Sequence, residues 1–410
     1  MRSVAGESGR PRLYALADLE RLRVRRDARA GHGAVAAGAL RWGEPVLDSA
    51  ITAITPRGPA YRGRLAIDLA ERGTPYESVA ELLWSGEVDD AIDAAIDGVI
   101  DWPRIAVPVA ALAKIAGDGA RPLDTMPLVV QLAALADPVR ADRRTVVHRG
   151  ESGRRRDAGS RPDPDGGEFA ACGRQLIPLL AATLASTFSA AAITRALSAS
   201  SVARIATRAL GIDEAFAPEI DRALVVLADH ELNASSFTAR VAASTNADPY
   251  ACVAAALAAV SGPKHGSASE DLVRFADELG SPDAARAEVR SLKKRGLAIP
   301  AFGHPLYANG DPRTPPLLAA VDRVIAEAGG TKRAKIILAI VAATDAKPSV
   351  DVGLAALVAA LGLEPQVASG LFAVARSAGW LAHAAEQRDA GYLLRPRARY
   401  IGRPIDLPGS

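Results

Sequence analysis

The sequence predicts an all-α protein carrying one small N-terminal β-hairpin, and three observations lead there. Aromatic residues make up only 4% of the 410 residues while Ala and Leu abound, a composition that favours close helix contacts over a sheet sandwich. Strand-like alternation is confined to residues 46–62, with a turn at Pro56-Arg57-Gly58-Pro59. Beyond it, helical patterns dominate, and in the second half they are broken by Gly and Pro at 262–263, 296, 300–305, 310–316, 348 and 365.

In chain order, residues 1–30 read as a basic arm in which Leu16, Leu19, Leu22 and Val24 follow a helical pattern over residues 10–29. A solvated or dimer-contacting helix accounts for it, and too little chain precedes it to build a DNA-binding module. After the hairpin, Thr74-Pro75-Tyr76-Glu77 opens a helix: Thr74 as N-cap, Pro75 in the first turn and Glu77 closing a capping box, with Val79, Leu82 and Leu83 as its buried face. Residues 138–167, with Arg154-Arg155-Arg156-Asp157 and Pro162-Asp163-Pro164-Asp165-Gly166-Gly167, form a polar insert expected to be a flexible surface loop. Leu176 to Thr194 is uncharged and long, but Pro178, Thr183, Ser186, Thr187 and Ser189 make it a buried core helix rather than a membrane span.

Composition bounds the function. Apolar residues at 49% and charged residues at 23% describe a soluble globular chain, and a net charge of +2 is too small for a surface devoted to nucleic acid. Two cysteines, Cys172 and Cys252, lack metal-type spacing and suggest a reducing compartment. Met1 to Glu7 has no hydrophobic region, so no signal peptide is expected and the location is read as cytoplasmic. A Gly-x-x-x-x-Gly-Lys-Ser/Thr loop and a His-Glu-x-x-His helix are both missing, and the dispersed histidines predict no metal.

The chemistry concentrates in four short segments. His304 stands between Gly303 and Pro305, which bias it away from helical angles, and Arg313 follows nine residues later on a second Pro-braced turn. An imidazole donor and a guanidinium fork suit a carbonyl compound bearing a carboxylate. His230 lies in a polar cluster, Ala228-Asp229-His230-Glu231-Leu232-Asn233-Ala234-Ser235, dropped into an apolar run; alone, it reads as a helix end. His265 lies in Gly262-Pro263-Lys264-His265-Gly266, where a helix start is plausible and would keep the imidazole neutral. Asp351, in Pro348-Ser349-Val350-Asp351, enters an apolar helix as a candidate base. Arg376, inside an apolar pattern, must pair or bind an anion if buried, and Arg395 begins a basic run near the end. Of the remaining histidines, His383 reads as a packed or surface residue, His148 belongs to the insert, and His32 sits in a Gly-flanked turn.

Together and in this order, these segments resemble the citrate synthase family, which includes the 2-methylcitrate synthases. The similarity runs from about Leu47 to Tyr400 and also takes in Tyr61-Arg62-Gly63, Ile67-Asp68-Leu69-Ala70, Asp311-Pro312-Arg313 and Arg395-Pro396-Arg397. The resemblance implies large and small helical domains, at residues 31–261 with 361–410 and at residues 262–360, in a homodimer that shares its active sites. It implies condensation of acetyl-CoA with oxaloacetate, as in the tricarboxylic acid cycle, giving citrate and CoA by an acyltransferase. Asp351 would take the methyl proton, His265 would donate to the thioester oxygen, and His304 would polarise the ketone. His230, Arg313, Arg376 and, from the other subunit, Arg395 would hold oxaloacetate. No tightly bound cofactor is implied; CoA arrives as the thioester co-substrate, with Lys264, Lys293, Lys294 and Arg295 as candidate contacts. Gly262-Pro263 would serve as the hinge.

The chain departs from the family pattern at Leu227, often histidine, at Ser349, commonly asparagine, at Ala308, often a basic residue, and at Pro305, where arginine is frequent. Two rival readings stand beside the first: 2-methylcitrate synthesis from propionyl-CoA, and a non-catalytic metabolite-responsive regulator on the same scaffold.

Overall fold

The computed structural model describes residues 3–4, 13–14, 47–85, 102, 113, 120–138, 140, 167–184, 189–396 and 402–403. The chain divides into two compact units, residues 1–49 and 50–410. In the first, β1 (Ser3–Val4) pairs antiparallel with β2 (Leu13–Tyr14), so two residues of the expected basic helix are extended instead. The rest of that arm, His32, and the insert with His148 lie outside the described residues, apart from single positions at the insert's edges.

The second unit opens with a three-stranded antiparallel sheet: β3 (Thr52–Thr55), β4 (Gly58–Tyr61) and β5 (Arg64–Leu65). The hairpin over 46–62 is present, and a third short strand extends it after the Arg62-Gly63 turn, where both residues take positive φ. Helices follow: α1 (Ala66–Glu71), α2 (Tyr76–Ser85), α3 (Pro122–Ala136), α4 (Gly167–Ala182), α5 (Ala190–Leu197), α6 (Val202–Leu210), α7 (Ala217–Leu227), α8 (Ala234–Ser244) and α9 (Pro249–Val260). Then come α10 (Ala268–Leu279), α11 (Pro282–Arg295), α12 (Thr314–Ala328), α13 (Lys332–Ala343), α14 (Val350–Ala360) and the 25-residue α15 (Gln366–Ala390). None of the described helices is long and apolar enough to cross a membrane.

The capping box expected at Thr74 is replaced by longer-range bonds. The Tyr76 N–H donates to Asp221 of α7 at 3.1 Å, and Glu77 accepts from the Val202 N–H at the start of α6 at 2.6 Å. Thr74 Oγ1 is buried without a hydrogen-bond partner. Packing against α6 and α7 has overridden the local motif.

α15 is the spine. It packs against α2, α3, α4, α7, α8 and α9, and small residues let it do so closely. A Cβ added at Gly370 would lie 2.6 Å from Leu184 and 2.8 Å from Pro122, so α3 seats on the helix there only because the side chain is missing. Helices α10 to α14 pack chiefly on one another and reach the spine through α10 and α14. This packing gathers the chemistry: α7, α9, α14 and α15 and the turns that follow them, with the loop between α11 and α12, carry all but one of the candidate catalytic and anion-binding residues.

Candidate active site

The loop between α11 and α12 is stitched to the segment leading into α14. Phe302 bridges to Pro348; Gly303 N–H donates to Lys347 O at 2.7 Å, Ser349 N–H to Ala301 O at 3.2 Å, and Asp311 N–H to Pro348 O at 3.0 Å. Ala301 and Gly303 both have positive φ, so the chain folds back there and holds His304 outside any helix, as its Gly-Pro flanks predict. These bonds tie His304, Arg313 and Asp351 to one rigid corner despite the 47 residues separating His304 from Asp351.

His230 sits in the turn after α7. Its backbone is fixed by the Tyr61 hydroxyl, which accepts from Asp229 N–H at 3.3 Å and donates to the carbonyls around it, and by Glu231 in a left-handed conformation. The His230 ring meets His304 edge-on at 5.5 Å between centroids, and its Nε2 is 2.8 Å from the Tyr307 hydroxyl. Burial, then Arg313, Arg376 and His304, push the His230 imidazole well below its ordinary range, so it is neutral. His304 is also pushed down, by burial and then Arg313; its Nδ1 accepts from Leu306 N–H at 3.2 Å, which leaves the proton on Nε2 as a donor.

Arg313 is 2% exposed and bound bidentately by Asp311, Nε to Oδ1 at 3.0 Å and Nη2 to Oδ2 at 2.7 Å. Arg376 is equally buried but differently served. Its Nε donates to Leu227 O at 2.8 Å and its guanidinium lies 4.6 Å over the Phe372 ring. Among the described residues no carboxylate forks it. Burial pushes it down to about 10, Asp229 opposes that shift, and Arg313 adds to it. A buried guanidinium without a carboxylate fork and beside a second cation has donors that can hold an anion.

His265 lies in the turn after α9, three residues before α10 begins, rather than at the helix start expected for it. Its ring is nonetheless pushed from 6.5 to about 4, by burial first and by the charge of Arg376 second. The direction expected for His265 holds; the helix terminus is not its cause. His265 Nε2 is 2.8 Å from Ser235 Oγ, which also receives the Trp380 indole N–H at 2.9 Å and donates to Asn233 Oδ1 at 2.8 Å. The ring meets Phe372 edge-on at 6.0 Å, so one phenyl group touches both His265 and Arg376.

A pH response of stability follows from His265. Its pKa is lower folded than unfolded, so below about 6.5 the unfolded chain binds the extra proton and stability falls as pH drops toward about 4. Melting temperature should fall from pH 7 to pH 5, and His265→Asn should show a shallower fall; equal slopes would contradict the assignment.

Asp351 occupies the first turn of α14, capped by Ser349. Ser269 Oγ donates to its Oδ1 at 2.8 Å, and Ser349 Oγ lies 3.1 Å from its Oδ2. The Asp351 charge acts on His265, His304 and Arg376, so the carboxylate, both imidazoles and the unforked guanidinium share one field. Beside His304 opens a cleft of about 440 Å³ whose walls include Lys293, Phe302, Tyr307, Ala308, Asp345 and Lys347. Lys293 pairs there with Asp345; Lys264, Lys294 and Arg295 are exposed and are not part of its wall. Arg395 is exposed in the segment after α15. No group of His, Cys, Asp and Glu among the described residues could hold a metal ion.

Tyr307, Ser235, Trp380, Ser269 and Lys347 are not among the residues that the sequence singles out. Ser235 lay inside the polar cluster around His230 and Tyr307 three residues after His304, so both were within reach; the others are brought in only by tertiary packing. His383, read as packed or at the surface, is fully buried with its Nε2 3.2 Å from Asp229 Oδ2, directly behind the His230 turn.

Residues 39–397 match a family model described as the citrate synthase C-terminal domain. A segment is 38% identical over 186 residues to citrate synthase 2 of Bacillus subtilis, covering 44% of this chain and 50% of that protein. Another relative, the 2-methylcitrate synthase of Mycobacterium tuberculosis, is 32% identical over 195 residues, 46% of this chain and 50% of that protein. The chain thus aligns with about half the length of these curated relatives. Citrate synthase from Pyrobaculum aerophilum superposes with a TM-score of 0.68 at 25% identity, covering 88% of this chain and 91% of that one. The Thermoplasma acidophilum enzyme, solved as a ternary complex with carboxymethyl coenzyme A and oxaloacetate, superposes with a TM-score of 0.68 at 20% identity, covering 88% of this chain and 95% of that one.

Proposed function

The chain belongs to the citrate synthase family, and from that membership we propose that it condenses acetyl-CoA with oxaloacetate, releasing citrate and CoA as an acyltransferase. The observation that carries the proposal is the buried pair of cations, Arg313 and Arg376, flanked by two neutral imidazoles and facing one helix-start carboxylate.

In this reading Arg376, Arg313 and His230 hold the carboxylates of oxaloacetate, and Nε2–H of His304 polarises its ketone. Asp351 removes a methyl proton of acetyl-CoA, which is weakly acidic, so the enolate must be stabilised as it forms. His265 supplies that bond. Ser235 has one proton and two acceptors, Asn233 and His265; when it turns to His265 Nε2, the opposite ring nitrogen carries the donor toward the thioester. Asn233 Oδ1 remains satisfied by the Ser236 N–H at 3.0 Å. A carbon–carbon bond then forms between the methyl carbon and the ketone carbon, the ketone oxygen takes the Nε2 proton of His304, and water hydrolyses the thioester to free CoA. The cleft beside His304 supports CoA entry on that side, with Lys293 and Lys347 near its phosphates; Lys264, Lys294 and Arg295 remain outer candidates.

We assign residues 31–261 and 361–410 to a large domain and 262–360 to a small one, with Gly262-Pro263 as the hinge that closes the site against water. A homodimer, with Arg395 reaching the partner's oxaloacetate, and a cytoplasmic location complete the proposal.

Propionyl-CoA differs from acetyl-CoA by one methylene, which a pocket discriminates by about 1–3 kcal/mol. Steady-state kinetics with both thioesters, and the mass of each product, test the choice: kcat/KM should be about tenfold or more higher with acetyl-CoA. A preference for propionyl-CoA would make the protein a 2-methylcitrate synthase. Binding of both substrates without thiol release would favour a metabolite-responsive regulator.

A further inference from the structure

Two serine hydroxyls grip the carboxylate of Asp351 from opposite sides, and they come from different parts of the fold. Ser269 is in the first turn of α10, four residues after His265; it is 3% exposed and donates to Oδ1 at 2.8 Å. Ser349, also 3% exposed, accepts from Asp351 N–H at 3.2 Å as the cap of α14 and lies 3.1 Å from Oδ2. The Ser349 hydroxyl has a second acceptor, Ala301 O at 2.7 Å, which is already served by the Ser349 N–H at 3.2 Å. The hydroxyl can therefore leave either acceptor without orphaning the carbonyl.

We propose that Ser269 and Ser349 are positioning residues for proton abstraction: Ser269 ties the carboxylate to the His265 segment, and Ser349 is a two-way partner that serves both of its protonation states. The inference rests on the reading of Asp351 as the base. While Asp351 is ionised, the Ser349 hydroxyl donates to Oδ2. When the proton leaves the acyl α-carbon for Oδ2, the carbon's electron pair passes toward the thioester oxygen. The Ser349 hydroxyl then turns to Ala301 O, and its lone pair accepts the new O–H. Neither state leaves a buried hydroxyl unpaired, so the carboxylate is held in one place through the transfer. Ser269, in contrast, has Asp351 as its partner, and rotation of the carboxylate away from α10 would strand a buried donor.

The test is steady-state kinetics with acetyl-CoA and its methyl-deuterated form on the full chain. Ser269→Ala should lower kcat on the order of 10- to 100-fold, because misplacing a base by a fraction of an ångström slows its step. It should also raise the primary deuterium isotope effect on kcat/KM, with the KM for oxaloacetate unchanged. Ser269→Thr, which restores a hydroxyl, should recover most of both. Ser349→Ala, which removes the two-way hydroxyl, should show the same raised isotope effect, while Ser349→Thr, which keeps both the hydroxyl and the cap, should stay close to wild type. If Ser269→Ala does not fold, Ser269→Cys, nearly isosteric with a weak donor, carries the same comparison. Wild-type rate and isotope effect in Ser269→Ala and Ser349→Ala, alongside an inactive Asp351→Ala, would overturn this inference and leave the base in place. An active Asp351→Ala would overturn the reading beneath it.

Discussion

Replacing Arg376 with methionine is expected to raise the half-saturating oxaloacetate concentration by roughly 10²- to 10³-fold while the melting temperature is retained. The two halves of that result have one cause. Arg376 is 2% exposed and pushed down to about 10 by burial and by Arg313, so its charge is held against the preference of its surroundings. Removing it relieves that strain and forfeits a bond to Leu227 O, the contact of the charge with the Phe372 ring and the attraction of Asp229. Because a buried charge without a carboxylate fork carries a large desolvation penalty, an apolar side chain of similar length offsets these losses. A dianionic ligand, however, loses a desolvated partner, and truncating one side of such a pair costs about 2–5 kcal/mol of binding. Thermal melts and oxaloacetate titration separate the possibilities. A large loss of stability with unchanged oxaloacetate dependence would make Arg376 a structural ion.

Gly379→Ala is expected to be among the most damaging single-methyl changes in the protein. A Cβ there would stand 2.2 Å from Asp229 Oδ1 and 2.7 Å from Ala228 O. The second of these is backbone, and the Gly379 N–H donates to that same carbonyl at 3.2 Å, so neither partner can withdraw cheaply. Overpacking of a tight core costs about 1–3 kcal/mol and more where backbone must shift. Here the shift would also part Asp229 from His383 and loosen the turn that presents His230. We expect a fall in unfolding free energy of about 3 kcal/mol or more in urea titration, with oxaloacetate dependence weakened in whatever remains folded. A variant as stable as the parent would mean that α15 stands further from the His230 turn.

Local residue type made much of the fold and site legible in the sequence. Helices from Ala/Leu spacing, the hairpin at Pro56-Arg57, the loop setting of His304 and the first-turn place of Asp351 are all such local consequences, and the structure has them. The Thr74 capping box failed because Asp221 and Glu77 make longer-range bonds that a local motif cannot anticipate. His265 is neutral for a reason other than the one its glycines suggested: burial and Arg376, 111 residues away, replace the helix start. The third strand was too short, at two residues, to leave a periodic trace. His383 carries no local signal at all, since its meaning is given by Asp229 across 154 residues.

We propose that Asp351 removes a proton from a CoA thioester so that its carbon can attack the ketone of oxaloacetate. Thiol release from acetyl-CoA, followed with and without oxaloacetate on the wild type and on Asp351→Ala, tests it most directly. Release is expected only when oxaloacetate is present, with a drop of about 10²-fold or more in the variant. Release that ignores oxaloacetate, or a variant as fast as the wild type, would contradict it.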